Sequence, residues 1–284
     1  MSKQSTLEQV LLCLKTGHHA LIEGPVGSGK TTLALAAAEA LGRSWVRVDA
    51  DRRMTETSLT GWFEPARVQT QGFIRESFIE GPLVRAMETG GVLFLNELNR
   101  LPESAQNVLL SALDEKRLEL PRLGAIEAVE GFAVIATQNP AEYIGTGALG
   151  EAVRDRFEGF WLDYPEEAAE RAIYAERAAG EVSDSDLSWA LGVIRKSRLD
   201  KDLQRGASLR AGIAWVDLMR GARAQKAQVS RATLMTQALI HRLELDPFRR
   251  TPGHSNREAL LQKIQELLGE RVGSPEKSEK KKHP

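Results

Sequence analysis

Short continuous apolar runs alternate, over the first part of the chain, with longer segments whose apolar residues recur every three to four positions. Residues 19–23 form one such run, closed by a glycine, and 31–41, rich in Ala and Leu and stopped by Gly42, predict a helix. Residues 44–49, around Val46 and Val48, predict a second strand, and 91–95 are apolar throughout, the pattern of a strand buried on both faces. Pro102 opens a helix reaching Leu113, with Val108, Leu109, Ala112 and Leu113 as its apolar face. Residues 132–137 and 159–163 supply two further strands. Strand segments alternating with helices in this way predict an α/β fold, a mostly parallel sheet covered by helices on both sides.

Two segments break the rhythm. Between Gly61 and Gly81, Trp62, Phe63, Val68, Phe73, Ile74, Phe78 and Ile79 surround 69–72, which reads as a hairpin turn. Between Leu118 and Val129, Pro121 and Gly124 divide a second strand-like pair. Both read as hairpins inserted into the α/β core. Beyond Pro165 the texture changes to helical periods at 166–179, 184–196, 207–220, 231–243 and 257–268, with no strand pattern. The expected organisation is an α/β core over 1–164, an all-α domain over 165–272 and a Lys-, Glu-, Ser- and Pro-rich tail over 273–284 with too little apolar content to fold.

Composition narrows the class. The chain has 284 residues, 42% hydrophobic and 27% charged, which excludes wholesale disorder. Lys and Arg total 38 against 39 Asp and Glu, so no global basic field favours nucleic acid or an anionic membrane. Cys13, the single cysteine, sits among Val10, Leu11, Leu12 and Leu14 and reads as core packing; neither an internal disulfide nor a cysteine zinc site can form. No stretch is long and apolar enough to span a bilayer, so the expected location is cytoplasmic.

The chemistry is concentrated in three strand ends. Gly24-Pro25-Val26-Gly27-Ser28-Gly29-Lys30-Thr31, with Thr32 following, fits G-x-x-x-x-G-K-[ST] between a predicted strand and a predicted helix. Glycines let backbone N–H groups turn toward phosphate oxygens, and a helix start adds its positive dipole end. Lys30 would bridge the outer phosphates of ATP, and the Thr31 hydroxyl would ligate Mg²⁺. The apolar run at 91–95 then delivers Asn96 and Glu97, where the usual arrangement is Asp-Glu. Asn96 thus stands in the metal position and Glu97 in that of the carboxylate that orients the attacking water. Asn139 ends the next strand and offers an amide to the γ-phosphate or to that water.

With these motifs in order, the chain resembles an AAA+ ATPase of the MoxR group. The likeness rests on 24–31, on Asn96-Glu97-Leu98-Asn99-Arg100, on Ala136-Thr137-Gln138-Asn139-Pro140, on Gly150-Glu151-Ala152 with Asp155-Arg156-Phe157, and on Gly206-Ala207-Ser208-Leu209-Arg210. It implies an αβα nucleotide domain with two hairpin insertions, followed by a helical lid. Arg156 matches the arginine finger that reaches a neighbouring subunit's nucleotide, with Arg154 a weaker candidate, and Arg210 matches the lid arginine called sensor 2. The resemblance also implies a homo-oligomeric ring, most often a hexamer, a protein client, and sometimes a partner with a von Willebrand A domain. ATP is expected over GTP, because 99–102 supplies no Asn-Lys-x-Asp guanine signature.

The leading expectation is an ATP- and Mg²⁺-dependent ATPase that remodels or matures a protein client. The alternatives are a nucleic-acid motor, disfavoured by the charge balance, and a slow-hydrolysing nucleotide-dependent scaffold, suggested by Asn96. Loss of a charge at position 96 is expected to weaken Mg²⁺ retention, with Asn96→Asp restoring it unless Glu97 or Asp114 already compensates. His18-His19 reads as a strand-start pair rather than a metal site. Trp62 and Phe63 are equally suited to gripping a client and to packing the insertion.

Overall fold

The computed structural model describes residues 3–139, 149–249 and 255–269; the lysine-bearing tail and Pro140 lie outside them. The chain divides into two compact units, Met1–Tyr164 and Pro165–Pro284.

In the first unit the order is α1 (Lys3–Lys15), β1 (His19–Glu23), α2 (Lys30–Ala40), β2 (Trp45–Asp49), α3 (Glu56–Thr60), β3 (Gly61–Phe63), α4 (Pro65–Gln71), β4 (Phe78–Glu80), α5 (Pro82–Glu88) and β5 (Val92–Asn96). There follow α6 (Glu103–Asp114), β6 (Arg117–Leu120), β7 (Gly124–Glu127), β8 (Ala133–Gln138), α7 (Glu151–Arg154) and β9 (Phe157–Trp161). Five of these strands form one parallel sheet in the order β2-β5-β8-β1-β9. Strict alternation sends Leu21, Leu93, Leu95, Val134 and Ala136 into a core shared with α3, α5 and α6. Ala20, Ile22, Val92, Phe94, Ala133 and Ile135 go to the opposite core, against Val10 and Leu14 of α1 and Leu33, Ala34, Ala37 and Ala38 of α2. That two-sided burial is why β1, β5 and β8 read as unbroken apolar runs. The edge strands β2 and β9 instead leave Trp45 and Trp161 exposed.

The two insertions differ from each other. β6 and β7 pair antiparallel around Pro121, and Gly124 takes φ 89°, so the second insertion is the hairpin expected. In the first, β3 and β4 also pair antiparallel, but 69–72 is not a hairpin turn. It is the end of α4, which Pro65 starts at its first turn and Gly72 closes with φ 81°. Ala66, Arg67, Gln69 and Gln71 carry enough helix propensity to override the turn signal of the lone glycine. Phe63 packs edge-on against Phe73 and Phe78, with ring centroids 5.1 and 5.2 Å apart. Trp62 stays half-exposed.

The second unit holds α8 (Glu167–Ala178), α9 (Asp184–Leu199), α10 (Leu209–Ala224), α11 (Arg231–Leu239) and α12 (Asn256–Leu268) around Tyr174, Trp215 and Met235. One detail departs from an all-α expectation: β10 (Leu203–Arg205) pairs antiparallel with β11 (Glu244–Leu245). Strands of three and two residues are too short to show a period of two in the sequence. Inside this unit Glu170 is fully buried, accepting from both Arg198 terminal nitrogens (2.8 and 2.6 Å) and from the Tyr174 hydroxyl at 2.7 Å.

Candidate functional site

The glycine-rich segment runs from the end of β1 to the start of α2. Gly24 has φ 150°, and a Cβ there would sit 2.0 Å from the Leu162 carbonyl oxygen, so only glycine fits where the loop leaves the sheet. Gly29, at φ 100°, caps α2 without any side-chain hydrogen bond. The first-turn N–H groups of α2 therefore face the loop, the arrangement that receives an anion. Ser28 Oγ is buried there with no hydrogen-bond partner among the described residues. Lys30 is only 8% exposed, and its ammonium donates to the Gly24 and Pro25 carbonyls, both at 2.9 Å. It also reaches Asn139 Oδ1 at 2.5 Å.

Because the sheet is parallel, the C-terminal ends of β1, β5 and β8 lie along one edge, and the order β5-β8-β1 makes them neighbours. Asn96 Oδ1 accepts from Thr31 Oγ1 at 3.2 Å and from Thr137 Oγ1 at 2.9 Å. The Thr137 hydroxyl in turn accepts from the Glu97 backbone N–H at 3.1 Å. Glu97 adopts the left-handed conformation (φ 60°, ψ 49°), which turns the chain sharply out of β5. Such a backbone is uncommon for a non-glycine residue and costs energy, so it clusters at functional positions. The Glu97 carboxylate is ion-paired with Arg100 at 2.9 Å. Thr31 and Asn96 present two oxygen donors side by side next to the phosphate loop, a set that suits a hard, partly hydrated cation such as Mg²⁺.

Three contributors at this edge were not singled out by the motifs, Thr137 among them although it lies within one. Thr137 is the hinge of the Asn96–Glu97 turn. Asp49 ends β2 and accepts from Asn96 Nδ2 at 2.7 Å. Arg47 donates to the same carboxylate at 2.6 and 3.2 Å and, with the Asn96 amide, holds the Asp49 carboxyl below the usual carboxylate range. The available signal was that Asp49 closes a predicted strand; which strand it would stand beside was not readable.

The remaining candidates are spread out. Arg156 precedes β9, whose first residue pairs with His19 at the start of β1, so Arg156 lies at the opposite edge of the sheet from its own phosphate loop. It is gripped by Asp114 through Nε (2.9 and 2.8 Å) and Nη2 (2.7 Å), and Nη1 donates to the Ala152 carbonyl at 2.7 Å. This grip holds the Asp114 carboxyl below its ordinary range. It also corrects one expectation: Asp114 is at the far edge and does not compensate Asn96. Arg154 is exposed on α7. In the second unit Arg210 is exposed in the first turn of α10, where the helix dipole disfavours a cation. Its approach segment is tightly held: the Ala207 carbonyl accepts from Arg198 Nε at 2.7 Å, and the Ala207 N–H donates to Ser197 Oγ at 2.9 Å. His19 is buried; Val134 N–H donates to its Nδ1 at 3.0 Å, so Nε2 carries the proton that faces the Leu113 carbonyl at 3.4 Å. Burial disfavours the charged ring and lowers its pKa to about 4, outweighing the Leu113 carbonyl, which favours a bound proton. Cys13 is buried, and burial raises its thiol to about 11, as a packing role requires.

Comparison with known proteins agrees with this geometry. Residues 19–157 match the AAA domain of the dynein-related subfamily. The chain is 32% identical over 191 residues to the gas vesicle ATPase GvpN2 of Halobacterium salinarum, covering 62% of this chain and 55% of that protein. It is 30% identical over 227 residues to the gas vesicle ATPase GvpN of Haloferax mediterranei, covering 72% and 64%. It therefore spans less than two thirds of the length of these relatives. The Thermotoga maritima RuvB Holliday junction branch migration motor shares the fold, with TM-score 0.55 at 19% identity over 95% of this chain and 81% of that one. The glycine-rich loop, the strand-end acid and the strand-end amide, brought to one edge of a β2-β5-β8-β1-β9 sheet, all lie within residues 19–157, the span that matches the AAA domain of the dynein-related subfamily.

Proposed function

We propose that this protein binds ATP at 24–31, hydrolyses it in a homo-oligomeric ring of the MoxR type, most simply a hexamer, and uses the turnover to remodel or mature a protein client. One observation carries the reading: Lys30 is bonded to Asn139 and Thr31 to Asn96, so the ends of three adjacent strands converge on one phosphate loop. In this reading Lys30 neutralises the outer phosphates and Asn139 moves with it. Thr31 and Asn96 would hold Mg²⁺, which when bound supplies positive charge to the phosphate oxygens. Glu97 leaves Arg100 to orient the attacking water. Arg156 serves a neighbouring copy, since its own loop lies across the sheet, and Arg210 reports the nucleotide state from the helical unit. The adverse dipole position of Arg210 supports a cation kept for function rather than for stability. The haloarchaeal relatives are named for gas vesicles; for this chain the client is a protein assembly of unassigned identity. Balanced overall charge weighs against a nucleic-acid track.

The test pairs two variants. Lys30→Ala removes a charge-assisted phosphate contact and should abolish measurable ATP binding. Glu97→Gln should bind ATP with parent affinity and retain it unhydrolysed. Parent turnover in Glu97→Gln would end the assignment of the catalytic carboxylate, and parent binding in Lys30→Ala would end that of the loop.

A further inference from the structure

The site edge carries a carboxylate that the nucleotide motifs do not include. Asp49, the last residue of β2, stands beside Asn96, the last residue of β5, in parallel register. Asn96 turns its amide nitrogen to Asp49 at 2.7 Å and its oxygen to Thr31 and Thr137. A carboxamide has one donating and one accepting end, and an ionised carboxylate only accepts. Asp49 therefore determines which end of Asn96 faces which way, leaving Oδ1 for Thr31. Arg47 anchors Asp49 from the other side, its guanidinium lying 5.6 Å from the centre of the Phe94 ring.

We propose that Asp49 and Asn96 act as a pair that replaces a carboxylate at position 96: Asn96 contributes the oxygen toward Mg²⁺, while Asp49 orients that oxygen and supplies the negative charge one residue further out. Asp49 is a positioning residue here, acting through Asn96. The inference rests on the ATPase reading above, and it reverses a sequence-based expectation. A carboxylate at 96 would meet Asp49 across the 2.7 Å now spanned by a hydrogen bond, so Asn96→Asp alone introduces repulsion rather than restoring a lost charge. The compensating acid is neither Glu97, which pairs with Arg100, nor Asp114, which is at the far edge.

The experiment reads nucleotide binding, not turnover. The full chain is titrated with a fluorescent ADP analogue in EDTA and again across a Mg²⁺ series. Asp49→Asn should keep the EDTA affinity and raise the half-effective Mg²⁺ about fivefold, the difference between a charged and a neutral hydrogen-bond partner. Asn96→Asp alone should also raise it, and the exchange Asp49→Asn with Asn96→Asp should bring it back to the parent value. An unchanged Mg²⁺ requirement in Asp49→Asn, a lowered one in Asn96→Asp, or an exchanged pair no better than Asp49→Asn would each overturn the proposal. Parent protein that binds the analogue in neither condition would overturn the ATPase reading and the pair together.

Discussion

The two edges of the central sheet are built on opposite terms. At the C-terminal edge, polar groups from the ends of three strands meet the start of α2 in two runs, from Asp49 through Asn96 to Thr31 and from Asn139 to Lys30. Several of their members are side chains bonded to side chains, which can exchange partners when a ligand enters. At the N-terminal edge, His19 is fastened to two backbone groups and Arg156 to a carboxylate and a carbonyl. Backbone partners cannot leave, so His19 is purely architectural. Arg156 keeps a side-chain partner on the surface, which can be given up at small cost. The comparison teaches that a strained or exchangeable contact, rather than burial alone, separates working groups from supporting ones.

The largest effect that would test this contrast comes from Arg156. On the proposed role in trans, Arg156→Ala should leave ATP affinity nearly unchanged and lower turnover of the assembled protein on the order of 10³-fold or more, the loss typical of an arginine finger. Mixing it with Lys30→Ala protein should return part of the activity, because mixed interfaces pair an intact arginine with an intact loop. Mixed rings confirmed by mass that stay inactive would assign Arg156 to its own subunit, against the geometry.

His19 gives the next effect, on stability. Its folded pKa, about 4, lies below the ordinary 6.5, so the fold favours the neutral ring. The contribution is complete above about pH 6.5 and is lost as pH falls toward 4, because the unfolded chain then binds a proton the folded one excludes. By pH 5 the loss should be about 2 kcal/mol. Urea midpoints at pH 7.5 and pH 5 measure it, and His19→Gln should flatten the difference; a slope that persists in His19→Gln would place its origin elsewhere.

The smallest effect sharpens the role of the Arg156 latch. Asp114→Asn should not shift the melting temperature measurably, since an exposed ion pair contributes little to stability. It should raise turnover of the assembled protein modestly, by freeing the guanidinium for a neighbour. Lower turnover would mean that Asp114 positions Arg156 instead of restraining it.

Much of this was legible in the residue order, for local reasons. Apolar runs marked β1, β5 and β8 because the middle of a strand buried on both faces favours apolar side chains on both, leaving polar residues to its ends. Gly24, Lys30 and Thr31 were legible together because a glycine turn and a helix start fall within eight residues. The first insertion was misread at 69–72 because a glycine after a polar run signals a helix end as readily as a turn. The ribbon of β10 and β11 left no pattern because its stability comes from partners about forty residues apart.

By itself, then, the sequence determined the element types of the core and the position of a glycine-rich loop and of the polar groups Asn96, Glu97 and Asn139 at strand ends. Only the tertiary structure decided that Asp49 stands beside Asn96, that Glu97 rests against Arg100, and that Arg156 is latched at the edge away from its own loop. The physical reason is strand order. A parallel sheet places residues distant in sequence within hydrogen-bond reach, and no local periodicity encodes which strands become neighbours.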